Sequence, residues 1–86
     1  MRTTAEFVFR GRLACDSFIG FARHRAGRLD LKLDIGTCDE AAARVTVEGA
    51  DALVDAFEMA CSLGPYDCIV LDVVRNDYPP LGSPSR

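Results

Sequence analysis

From Phe9 to Thr37 the chain reads FRGRLACDSFIGFARHRAGRLDLKLDIGT, and this stretch decides the fold. Its middle places Phe18, Phe21, Ala22, Ala26 and Leu29 at spacings i, i+3, i+4, i+8 and i+11, one face of a helix over residues 17–29. Asp16 or Ser17 stands where an N-cap is needed, and Arg23, Arg25 and Arg28 suit the negative end of the helix dipole. On the N-terminal side, residues 6–13 (EFVFRGRL) alternate apolar with polar residues and read as a strand. On the C-terminal side, Leu31, Leu33 and Ile35 alternate with Lys32 and Asp34, a second strand.

Farther on, residues 44–48 (RVTVE) read as a third strand that Gly49 breaks. Residues 51–62 read as a second helix, with Leu53, Ala56, Phe57, Ala60 and Cys61 inward and Asp51, Asp55 and Glu58 outward, stopped by Gly64-Pro65. Residues 66–74 end in the dense apolar run CIVLDVV, the pattern of a well-buried strand. The order is β-α-β-β-α-β, an α+β, ferredoxin-like sandwich: a four-stranded antiparallel sheet with two helices on one face. One domain is expected over residues 1–76, with an irregular proline-rich tail over 77–86.

The 86 residues are 49% hydrophobic and 27% charged, an ordinary balance for a globular domain. A net charge of −3 excludes the basic footprint of a dedicated nucleic-acid or anionic-membrane binder. No apolar run approaches the roughly 18 residues of a membrane span. The first residues, MRTTAE, lack the apolar core of a signal peptide, so the expected location is cytoplasmic. Charge is uneven along the chain. The first 28 residues carry six arginines and two acids, whereas residues 44–86 are net −4, an asymmetry suited to steering a partner or to self-association. The open sheet edges allow a monomer or a weak homodimer.

Cys15, Cys38, Cys61 and Cys68 include no C-x-x-C pair and match no zinc-binding spacing, so no metal set and no cofactor is assigned. They read as free thiols used as small hydrophobes. His24, the single histidine, falls among arginines on the outer helix face and reads as a surface residue.

The stretch quoted first resembles the acylphosphatases, small hydrolases of carboxyl-phosphate anhydrides, whose first strand-turn-helix runs V-x-G-x-V-Q-G-V-x-F-R-x-F-x-x-x-x-A-x-x-L-G-L-x-G-W-V-x-N. Gly11, Phe18, Phe21, Ala26, Leu29 and Leu31 coincide with that pattern without a gap, and Leu13 and Ile35 replace valines. The Glu48-Gly49, helix and Gly64-Pro65 punctuation is shared, and the likeness spans residues 6–74.

The resemblance implies a phosphate cradle made by the Q-G-V-x-F turn and one arginine, with an asparagine orienting water. The physics is that of a helix N-terminus and a bidentate guanidinium. Here the glutamine falls at Ala14, the glycine at Cys15, the valine at Asp16, the arginine at Ile19 and the asparagine at Thr37. Ile19 has no donor, and losing one preorganised donor costs about 10²- to 10³-fold in rate. Asp16 brings a carboxylate to the turn that should attract an anion, a repulsion of up to about 4 kcal/mol at close range.

The expectation is therefore a domain that has lost acyl phosphate hydrolysis and binds a small molecule or protein through the sheet or at the former cradle: Ala14, Cys15, Asp16, Ser17, Phe18, Ile19 and Thr37. Two alternatives follow from the same residues. One is an active acylphosphatase whose clamp is supplied by Arg23 or Arg12. The other is a metal or redox module, since the fold implied by the resemblance brings Cys15-Asp16 beside Thr37-Cys38-Asp39.

Overall fold

Arg2–Arg12 form strand β1, an alternating segment that buries Ala5, Phe7 and Phe9 on one face of the sheet. The structure, a computed structural model, describes residues 1–78. Helix α1 (Cys15–Arg28) and strand β2 (Lys32–Cys38) follow, then strand β3 (Ala42–Ala50), helix α2 (Asp51–Leu63) and strand β4 (Ile69–Tyr78). The sheet order is β2-β3-β1-β4, antiparallel throughout, so β1 and β3 are central and β2 and β4 are edges. This is the expected β-α-β-β-α-β sandwich.

The core lies between the sheet and the helices. Four buried phenylalanines form a chain of ring contacts from α1 to α2 through β1. Phe18 meets Phe9 at 5.3 Å, Phe9 meets Phe7 at 5.4 Å, and Phe7 meets Phe57 at 6.0 Å between centroids. Each contributes about 1.5–3 kcal/mol by burial. Ala43, Val45 and Val47 of β3 complete the floor. Arg75 fastens β4 to α2, donating to Asp55 at 2.8 Å, Glu58 at 2.7 Å and Asp77 at 2.6 Å while its guanidinium lies 5.4 Å from the Phe7 ring.

Several expectations are corrected. Helix α1 begins at Cys15, and its N-cap is Ala14, with no side-chain cap from Asp16 or Ser17. Its other end closes with Leu31 N–H on Ala26 O at 2.8 Å and Asp30 N–H on Gly27 O at 3.3 Å, with Asp30 at φ 57°. That is the double bond of a Schellman cap, with aspartate in the left-handed position that glycine usually fills. Gly49 does not break β3; the strand continues to Ala50, and Gly49 makes room for Leu31, whose side chain would meet any Cβ there. On α2 the inward residues are Val54, Phe57 and Cys61, while Leu53 is 37% exposed and Ala56 is on the outside.

Strand β4 is an edge and not a well-buried strand. Leu71 is 77% and Ile69 54% exposed, because only Val70 and Val73 reach the core and a register shift opposite Arg10 and Gly11 turns Leu71 outward. β4 also runs through Asp77 and Tyr78, which the sequence assigns to the tail. The rest of that tail, residues 79–86, lies outside the described residues. No helix among the described residues is long and apolar enough to cross a membrane.

Candidate functional site at the turn before helix α1

The connection between β1 and α1 is only Leu13 and Ala14, and neighbouring segments hold it from three sides. Gly11 N–H donates to Ala41 O at 3.0 Å and Leu13 N–H to Glu40 O at 2.9 Å, so the end of β1 stays tied to the β2–β3 connection. That connection is itself shaped by Asp39, whose Oδ1 accepts from the backbone N–H groups of Ala41 and Ala42 at 2.8 and 2.9 Å. An aspartate folding its own turn in this way is a local device, not a free ligand.

The second fastening is a disulfide between Cys15, the first residue of α1, and Cys38, the last of β2, with Cα atoms 5.9 Å apart. The expectation of free thiols is therefore corrected for this pair. The implied closeness of the turn to the end of β2 is what permits the bond. Cys61 and Cys68 are free and buried as expected. Burial raises the Cys61 thiol to about 12, and the charge of Arg25 offsets part of that rise.

The third fastening comes from the segment between α2 and β4, which the sequence did not single out. Ala14 N–H donates to Cys68 Sγ at 3.4 Å, and the Cys68 thiol donates back to Ala14 O at 3.7 Å. Ser17 Oγ donates to Asp67 Oδ1 at 2.7 Å. No sequence signal short of the fold itself places Asp67 and Cys68 here, since they lie 50 and 54 residues from their partners.

Two open depressions flank the turn. One, of about 720 Å³, is lined by Leu13, Ala14, Cys15, Asp39, Glu40 and Ala41. The other, of about 400 Å³, is lined by Arg12, Leu13, Ala14, Glu40 and Asp67. With Asp16 in the first turn of the helix, the carboxylates here are Asp16, Asp39, Glu40 and Asp67, against Arg12. No grouping of three or more histidine, cysteine or acidic side chains among the described residues is arranged to hold a metal ion.

The remaining predicted residues divide. Phe18 is fully buried against Phe9 and belongs to the core. Ile19 is half-buried, and Thr37 is exposed on β2 beside a register shift. Arg23 is exposed and lines a separate depression with Ala26, Gly27, Leu31, Leu33, Asp34 and Ile35, so it shares no lining residue with the turn. His24 is exposed, as expected.

No protein-family model matches the chain, and no curated protein matches it in sequence. Solved structures do match. The acylphosphatase from Bacillus subtilis superimposes with a TM-score of 0.84 at 20% identity, over 95% of this chain and 90% of that one. An acylphosphatase from Coxiella burnetii superimposes with a TM-score of 0.82 at 15% identity, over 91% of this chain and 82% of that one. Full-length HypF in its phosphate- and nucleotide-bound form contains a matching region with a TM-score of 0.78 at 15% identity, covering 91% of this chain and 10% of that one. The chain therefore has the acylphosphatase-like fold.

Proposed function

We propose that this acylphosphatase-like domain no longer hydrolyses acyl phosphates and acts as a non-hydrolytic binding module, taking a small molecule or a protein at the turn of residues 13–17. The observation that carries the reading is the charge of the turn. Asp39, Glu40 and Asp67 line the depressions beside the turn and Asp16 lies in the first turn of the helix, against Arg12 in the same lining. A transferring phosphoryl group needs converging donors and positive charge. Ile19 supplies neither, and the Ala14 N–H is already committed to Cys68. A neutral or cationic ligand meets no such conflict.

The test is an acyl phosphate hydrolysis assay on the purified chain, with inorganic phosphate titrated against its amide spectrum. The expected results are no turnover above background and no phosphate-dependent shifts at residues 14–19. Turnover that Arg12→Ala or Arg23→Ala abolishes would overturn the reading. Arg12 is the arginine placed at the turn, so its variant is the sharper of the two.

A further inference from the structure

The Cys15–Cys38 bond lies at the periphery of the fold. The core of Phe7, Phe9, Phe18, Phe57 and the β3 valines closes without it, and both half-cystines are half-buried, Cys15 lining a surface depression and Cys38 preceding Asp39, which lines the same one. Cys38 ends β2, an edge strand with no neighbour on its outer side among the described residues. Cys15 is the first residue of α1, whose N-terminus no side chain caps. A thiolate released there is stabilised by the unpaired N–H groups of the first turn, which makes it the better leaving group.

We propose that Cys15–Cys38 is a reversible thiol–disulfide exchange centre, and that its carboxylate surround selects neutral or cationic thiols over anionic ones. An incoming thiolate attacks Cys38 Sγ in line with the S–S bond. A new S–S bond forms at Cys38, and the old bond breaks with its electron pair leaving on Cys15 Sγ, which takes a proton from water. A second thiolate then attacks the sulfur of the first in the mixed disulfide and releases Cys38 as a thiolate. Two thiols are oxidised to one disulfide while the protein disulfide is reduced by two electrons. The corresponding small disulfide drives the reverse. Asp16 and Asp39 adjoin the two cysteines in sequence, and Glu40 lines the same depression as Cys15. Asp39 and Glu40 in that lining, with Asp16 next to Cys15 in the helix, disfavour an approaching anion, and Arg12 opposes them from the neighbouring depression. The centre stands whether or not the turn also binds a ligand.

The test uses the oxidised full chain and three reductants: cysteamine (cationic), 2-mercaptoethanol (neutral) and thioglycolate (anionic), compared as rate constants per thiolate, each divided by that thiol's rate constant with a small uncharged disulfide to remove its intrinsic nucleophilicity. Expected is the order cysteamine, 2-mercaptoethanol, thioglycolate, with about tenfold between first and last. The span should narrow to about two- to threefold in 1 M salt and in Glu40→Gln. The salt titration needs no variant, so the proposal stays testable if Glu40→Gln fails to fold. After acid quenching, the mixed disulfide should map to Cys38. Equal rates for the three thiols, a mixed disulfide on Cys15, or reduction that proceeds only as far as denaturant unfolds the chain would each overturn the proposal.

Discussion

Ala14 and Cys68 exchange two hydrogen bonds across 54 residues of sequence, backbone N–H to sulfur at 3.4 Å and thiol to backbone carbonyl at 3.7 Å. The sulfur thus gives the Ala14 N–H the partner that a strand would supply elsewhere, while the Ala14 carbonyl also accepts from Phe18 N–H at 2.8 Å. Cys68→Ala removes that partner and leaves a small void. A loss of about 1–2 kcal/mol is expected, read as a lower urea midpoint with unchanged slope. An unchanged midpoint would mean that water replaces the sulfur without cost.

Asp30 holds the left-handed position of the α1 cap at φ 57°. Glycine adopts that conformation without a Cβ penalty, so Asp30→Gly should stabilise the fold by up to about 1 kcal/mol. Thermal denaturation of the two proteins checks it, and a lower midpoint for the variant would contradict the strain argument.

Hydrogen bonds to Asp77, Glu58 and Asp55 raise the pKa of Arg75, whose guanidinium also lies over the Phe7 ring. A group raised in the folded state stabilises it below the unfolded pKa and loses that contribution only as pH climbs through the folded one. For arginine this window is above any working alkaline buffer. Arg75→Met should therefore destabilise by about 1–2 kcal/mol at neutral pH and at pH 9 alike, since the ion pairs are partly exposed and discounted accordingly. A denaturant series at both pH values measures it.

The Cys61 thiol, pushed up to about 12 by burial, stays protonated in the folded chain while the unfolded chain ionises near 9. Below 9 both states hold the proton and stability is unaffected. From 9 to about 12 the unfolded state alone releases it, and stability falls by about 1.4 kcal/mol per pH unit. Cys61→Ala should flatten that part of the stability profile, measured by urea titrations between pH 8 and 10.5. In the native protein at pH 8, Cys61 should resist alkylation.

Removing the Cys15–Cys38 cross-link as the double serine variant frees a loop with a sequence separation of 23. The expected loss is about 3 kcal/mol, with the far-ultraviolet dichroism of the folded state retained at low denaturant. A variant unfolded in buffer would show the bond to be required for folding.

The fold was legible because β1, α1 and β2 each show one period cleanly: Phe7 and Phe9 at two, Phe18 to Leu29 at helical spacing, Leu33 and Ile35 at two. What failed did so for identifiable reasons. The run CIVLDVV carries the same apolar signal in an edge strand as in a central one, because periodicity does not register how many neighbours a strand has. Gly49 looked like a terminator since its role, giving space to Leu31, depends on a residue 18 positions earlier. At the site, the implied proximity of the turn and the end of β2 was correct. The bond between Cys15 and Cys38 was not foreseen because spacing alone does not determine cysteine pairing. Asp67 and Cys68 were invisible for the same reason: their partners are local only in three dimensions.

The register shift where β1 faces β4 has one more effect. An edge strand with exposed leucine and isoleucine is a template on which a second chain can add. Here the ladder is interrupted between Arg10 and Gly11, and Asp72 and Asp77 stand along the same strand. A straight intruding strand would find its hydrogen bonds in step over only part of that length, and would meet carboxylates on the way. The irregularity that turns Leu71 toward solvent is also a guard against sheet-to-sheet aggregation.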